Sequence, residues 1–228
     1  MKIKLLLMTL AICQSAAQAA ITVTNNGTVT PTGFVTGNTS LDPHATLTGL
    51  PEVFGFRNAN THGQSFTVAA PLTLGSIFIG YGTLTGAATA MTISLTVDAG
   101  NNGSNEITET FSLTTSSITQ ESSPYSGIHW LELDVSSSAL TLAAGTHSFR
   151  LTATSVTGAT NTWLLAPSYT GSTGFVGNYT GGNMTGTGIS ASFPTRDANF
   201  AITAVPEPGS LLLLGLGALP ILRRRHRA

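Results

Sequence analysis

The chain is poor in the residues that most catalytic and nucleic-acid chemistry needs. Its 228 residues include one cysteine, Cys13, so the stretch after residue 19 has neither a disulfide nor a thiol nucleophile. Charged residues make up only 8% of the chain, and no lysine follows Lys4, which excludes the Lys/Arg-rich footprint of a nucleic-acid binder. Low charge combined with 41% apolar content is the opposite of the disorder signature. There is no Gly-x-Ser-x-Gly elbow, phosphate loop, His-Glu-x-x-His or Cys–His pairing. His44, His62, His129 and His147 are scattered, as structural histidines usually are. No helical period of useful length occurs before residue 209.

The net charge of −1 is a cancellation between unlike segments. Lys2 and Lys4 make residues 1–19 +2, and Arg223, Arg224, Arg225 and Arg227 against Glu207 make the last segment +3. Residues 20–204 carry Arg57, Arg150 and Arg196 against nine acids, a net of −6. A domain of that size buries roughly 70% of its unfolded-chain surface, enough for one core. Its acidity predicts repulsion from acidic polymers unless calcium bridges them, which favours neutral glycans as partners.

Residues 1–19 have the layout of a secretory signal peptide: basic Lys2 and Lys4, apolar Ile3–Ile12, and the small-residue site Ala17-Gln18-Ala19. Cleavage is expected after Ala19 by the export machinery. Ile12 stands where a lipoprotein signal needs a small residue before Cys13, so lipidation is not expected.

The other end reads Val205-Pro206-Glu207-Pro208, then the apolar run 209–222, then the basic cluster Arg223, Arg224, Arg225 and Arg227. Pro206 and Pro208 remove two backbone donors and hold an extended stub before the apolar run. That run is shorter than the ~20 residues of a comfortable span, but the basic flank predicts a single inner-membrane helix with its arginines on the cytoplasmic side.

This tripartite tail resembles the PEP-CTERM sorting signal of bacterial envelope proteins, a region that also carries the label of an ice-binding protein C-terminal motif. The resemblance implies recognition by an exosortase, a membrane-embedded cysteine transpeptidase-like enzyme that removes the tail near residues 205–208. It also implies a protein exported, anchored in the inner membrane before processing, and then placed at the cell surface or outside. A permanent anchor without processing is the simpler alternative.

Between the two ends, apolar residues alternate with Thr and Ser at period 2. Met91, Ile93, Leu95 and Val97 interleave with Thr92, Ser94, Thr96 and Asp98. Similar runs at 66–69, 72–81, 107–113, 129–135, 147–155, 161–166 and 198–204 predict an all-β, antiparallel β-sandwich or jelly-roll ectodomain over residues 20–204. Gly63-Gln64-Ser65-Phe66-Thr67, Leu72-x-Leu74-Gly75-x-Ile77 and Ala143–Leu151 are similar to strands of carbohydrate-binding-like jelly-roll ectodomains joined to PEP-CTERM tails. The Gly-Asn-rich stretch Gly171–Gly188 is expected to be a long surface loop.

Two clusters are candidate sites. On the strand at 129–135, Trp130, Glu132 and Asp134 share one face while Leu131, Leu133 and Val135 share the other. Trp130 suits sugar stacking, and two carboxylates about 6.6 Å apart come near the ~6.5–9.5 Å of an inverting glycosidase. Every acid-x-acid strand has that spacing, so an ordinary solvent-facing strand is the plainer reading. The second cluster is Asp98, Asn102, Glu106 and Glu109, which fits part of a calcium-loop template, with an Asn-Gly hairpin turn as its plainer reading. Glu109 is in phase with Ile107, Phe111 and Leu113 and would face the core. Thr-x-Thr pairs also raise ice binding, but their gaps are irregular in sequence.

The expected function is therefore a non-enzymatic envelope or matrix protein that engages extracellular polysaccharide without catalysis or cofactor. A secreted glycan hydrolase or lyase is the alternative of a different class. A structural envelope component and an ice-binding protein are further alternatives.

Overall fold

A computed structural model of the chain describes residues 20–39, 54–55, 59–82, 89–114, 129–157, 164–165, 167–168, 179–186 and 197–206. The expected signal peptide, residues 161–163 and 166 of the expected strand 161–166, the tail helix 209–222 and the arginine cluster lie outside the described residues. No helix among the described residues is long and apolar enough to cross a membrane.

The strands, in chain order, are β1 (Thr22–Gly27), β2 (Thr36–Asn38), β3 (Phe54–Gly55), β4 (Thr61–Val68), β5 (Leu72–Gly82), β6 (Ala90–Asp98), β7 (Ile107–Thr114) and β8 (His129–Asp134). They continue with β9 (Thr141–Leu142), β10 (Gly145–Thr157), β11 (Leu164–Leu165), β12 (Pro167–Ser168), β13 (Met184–Gly186), β14 (Asp197–Ala198) and β15 (Phe200–Ala204). The only helical element among the described residues is a single 3-10 turn, Ser136–Ser138.

Two antiparallel sheets form the fold. One contains β1, β8, β5, β15 and β2 side by side, extended by β9, β11 and β3; the other runs β13-β4-β10-β6-β7. Taking β2, β4, β5, β6, β7, β8, β10 and β15 as eight successive core strands, the sheets hold the first, eighth, third and sixth, and the second, seventh, fourth and fifth. That interleaving is the strand order of a jelly roll.

The alternation seen in the sequence sets the faces. In β6, Met91, Ile93, Leu95 and Val97 are buried while Thr92, Ser94 and Thr96 are half-exposed. Phe66 of β4 and Phe149 of β10 meet Phe200 of β15 from the opposite sheet, with ring centroids 6.4 and 5.9 Å apart. All three rings are fully buried, each contributing roughly 1.5–3 kcal/mol of transfer free energy.

The stretch 171–188 departs from the loop expectation where it is described. Residues 184–186 form β13 along β4, with Met184 paired to Gln64 and buried. Glycine permits the contact: a Cβ at Gly182 would lie 2.0 Å from the Ser65 carbonyl oxygen. The same glycines that suggest a loop are needed for close backbone approach.

Candidate functional site

Trp130, Glu132 and Asp134 share one face of β8, as the alternation predicts, but that face is not an open sugar platform. Trp130 is 1% exposed and packs on Phe78 of β5, so its ring has no free face for stacking. This corrects the solvent-facing expectation for Trp130. Period 2 assigns a side chain to a face and is silent about what covers that face.

The two carboxylates hold the fold together. Glu132 accepts from Ser76 Oγ at 2.8 Å through Oε1 and from Asn26 Nδ2 at 3.2 Å through Oε2, tying β5 and β1 to β8. Asp134 Oδ1 accepts the Ser136 backbone N–H at 2.9 Å, starting the 3-10 turn. The geometry brings neither carboxylate to a free ring face.

The Asp98 cluster is a hairpin turn between β6 and β7. Asp98 is 2% exposed, and its two oxygens accept the N–H groups of Asn102 at 3.0 Å and Gly103 at 2.7 Å. Asn102 Oδ1 accepts from the Ser104 N–H at 2.8 Å, and Glu106 Oε2 from the Ala99 N–H at 2.6 Å. His147 completes the turn: Nδ1 accepts the Gly100 N–H at 3.1 Å, which leaves the ring proton on Nε2 to be donated to the Ala143 carbonyl at 2.9 Å.

Glu109 does not join the other three. It pairs with Leu95, three residues along β6 from Asp98, or about 10 Å. The four residues therefore do not converge on one ion position. No group of three or more His, Cys, Asp or Glu suited to a metal is found among the described residues. Glu109 faces inward as its phase predicts, and its Oε1 is buried without a hydrogen-bond partner.

A buried polar cluster absent from the sequence reading pins β14 and Tyr179 to β4. Gln64, fully buried, donates from Nε2 to Asp197 Oδ1 at 3.1 Å and accepts the Ala198 N–H at 2.8 Å. Asp197 Oδ2 accepts the Tyr179 N–H at 2.8 Å. Burial pushes the Asp197 carboxyl up to about 6, outweighing the lowering by the bonds from Tyr179 and Gln64. The Tyr179 hydroxyl accepts the Thr67 N–H at 2.8 Å and bonds Thr36 Oγ1 at 2.8 Å, joining β4 of one sheet to β2 of the other. Gln64 and Asp197 are 133 residues apart, and no local pattern links them. The one signal was negative: His62 and Gln64 interrupt the apolar alternation that otherwise marks β4.

The outer face of the five-stranded sheet is covered with hydroxyls. The register aligns Thr61, Thr152, Ser94 and Thr110 in one row across β4, β10, β6 and β7. A second row runs Thr185, Gly63, Arg150, Thr96 and Thr108. Strands lie about 4.8 Å apart, so the spacing that is irregular in sequence becomes regular across the sheet. Thr61 and Thr152 bond through their hydroxyls at 2.9 Å. Arg150 is the one charged side chain in these two rows, and neither row contains an aromatic ring.

The strand order places the start of the tail at the end of an interior strand. Ala204 of β15 pairs with Leu74, and the Val205 N–H donates to the Thr73 carbonyl at 2.9 Å. Pro206, exposed, follows without a backbone donor. Glu207 and Pro208 lie outside the described residues.

No curated protein matches this chain. Residues 204–227 match the family described as PEP-CTERM protein-sorting motif, covering the proline stub, the apolar run and the arginines. The chain carries a PEP-CTERM protein-sorting motif behind a β-rich ectodomain, and is thereby an exported protein sorted to the cell surface by exosortase-type machinery.

Proposed function

We infer that the ectodomain is a non-catalytic envelope or matrix module that contacts neutral extracellular polysaccharide through the hydroxyl face of its five-stranded sheet. The observation that carries this reading is the pair of aligned Thr/Ser rows, which offer donors and acceptors with almost no charge. A glycan chain presents the same kind of groups at similar density, and a sheet face is pre-organised to meet them. The net −6 of residues 20–204 favours a neutral polymer over an acidic one.

The carboxylates support the absence of catalysis. Glu132 and Asp134 both accept hydrogen bonds within the fold, whereas a glycosidase needs one carboxyl as acid and another as base or nucleophile beside the scissile bond. The tail would first hold the domain at the inner membrane through its apolar run, with the arginines on the inner side.

The test is binding of the exported protein to neutral and acidic polysaccharides, with release of reducing ends assayed in parallel. Binding to neutral polymer without cleavage supports the reading. Cleavage would establish the hydrolase or lyase alternative, and thermal hysteresis without glycan binding would assign the aligned threonines to ice.

A further inference from the structure

The end of the sandwich from which the tail departs has an uncharged, apolar rim. The three large hydrophobic residues exposed among the described residues, Val29 at 71%, Phe34 at 37% and Val35 at 52%, all fall in the segment between β1 and β2. The Val35 N–H donates to the Ile202 carbonyl at 2.8 Å, three residues or about 10 Å before Val205. β2 runs antiparallel to β15, so Phe34 and Val35, which precede Thr36, lie toward the end where β15 finishes. Two turns stand beside them. The Val205 N–H bonds the Thr73 carbonyl, and Leu72 and Thr73 pair with Leu142 and Thr141. Exposed Ala70 and Pro71 lead into Leu72, and exposed Ala143 follows Leu142. Segments 29–35, 69–72, 139–145 and 205–206 contain no charged side chain. The polar hairpin turn 100–106 bounds this rim on the side of the other sheet, since β6 lies across β10 from β4.

The sequence allows little separation between the rim and a membrane. Only Glu207 and Pro208 stand between Pro206 and the apolar run 209–222, and the three steps from Pro206 to Gly209 reach about 10 Å at most. As a helix that run is about 21 Å long, short of the ~30 Å hydrocarbon core. A short span thins the bilayer around it and keeps its flanking residues at the interface. Val205 and Pro206 are then held at the lipid surface, and the apolar residues beside them are brought to it. An exposed apolar patch suits such contact. Its lack of charge also matters, because the acidic remainder of the ectodomain is repelled by anionic headgroups.

We propose that, while the tail is in the membrane, the rim that includes Phe34, Val35, Ala70, Pro71 and Ala143 rests on the lipid surface and sets the orientation of the ectodomain. This rests on the reading that the tail holds the domain at the inner membrane, and adds a lipid contact made by the ectodomain itself. Thr61, in the same row as Thr110, is seven residues or about 23 Å along β4 from Val68, which pairs with Gly145 at the rim end. The hydroxyl rows therefore stand clear of the bilayer and open to polymer.

The experiment uses the full chain, expressed in a host without exosortase-type machinery so that the tail stays on, and reconstituted in phosphatidylcholine vesicles. Cys13 is the only cysteine and leaves with the signal peptide, so Val35→Cys, Ala70→Cys and Thr110→Cys each supply a single site for a fluorophore. All three positions are exposed. Lipids carrying a spin label near the headgroup are added as quenchers, and flotation of the vesicles reports whether the chain is anchored. Both rim labels, at 35 and 70, are expected to be quenched severalfold more than the label at 110. If the chain floats and either rim label is quenched no more than the label at 110, the proposal is overturned and the anchor reading stands. A chain that does not float with the vesicles overturns both.

Discussion

The Tyr179 backbone N–H donates to Asp197 Oδ2 at 2.8 Å, and this bond fixes where a glycine-rich segment meets the sandwich. Because burial raises the Asp197 pKa from 3.8 to about 6, the folded state holds that proton more tightly than the unfolded chain does. The associated stability is fully present below about pH 4 and is lost as pH rises through about 6, amounting to roughly 3 kcal/mol. Asp197→Asn removes the charge and keeps a carbonyl oxygen for Tyr179. Urea midpoints of the variant should therefore fall less than those of wild type across that window. Equal slopes would show that Asp197 is not the titrating group.

Tyr179→Phe deletes the hydroxyl that bridges Thr36 and the Thr67 N–H. The expected loss is about 0.5–1.5 kcal/mol for each net hydrogen bond removed, read as a lower denaturant midpoint with an unchanged slope.

Asp98→Ala removes the carboxylate that accepts the Asn102 and Gly103 N–H groups and holds the exposed turn 100–106 to the end of β6. A destabilisation of about 1–3 kcal/mol is expected. Because the Asp98 oxygens already serve the backbone and Glu109 lies elsewhere, calcium is expected to leave the thermal midpoint of the wild-type protein unchanged. A rise with calcium that Asp98→Ala abolishes would show an ion in the turn.

Glu109 is an inward-facing acid on β7, which ends the five-stranded sheet, and its Oε1 has no hydrogen-bond partner. Glu109→Val is expected to raise the melting temperature, since an unsatisfied buried acceptor costs about 1–3 kcal/mol. It is also expected to increase concentration-dependent association, because inward-pointing charge keeps sheet edges from pairing with other chains. Light scattering and melting curves on the same samples check both.

The long strands were legible because one side of each is core: Met91, Ile93, Leu95 and Val97 declare β6 without any structure. β4 was read from Phe66 although it begins at Thr61, since its inward positions there are the polar His62 and Gln64. β13 was missed because Met184 is its one buried residue and glycines surround it. Strand order, the cover over Trp130 and the Gln64–Asp197 contact depend on distant pairings that periodicity does not encode. The sorting tail was the most legible part, because contiguous residues carry its signal.

The central claim is that the hydroxyl face of the five-stranded sheet binds neutral polysaccharide without cutting it. Its most direct test is titration of the exported protein, wild type and Thr152→Lys/Thr110→Lys, against one neutral and one acidic polysaccharide. Thr110 is exposed and Thr152 half-exposed on that face, so the two changes place one charge inside a row and one at its β7 end, with little effect on the core. The predicted result is wild-type binding to the neutral polymer, at least tenfold weaker binding by the variant with an unchanged fold, equivalent to about 1.4 kcal/mol, and no release of reducing ends. Equal binding by both proteins, or cleavage of the polymer, would contradict the account.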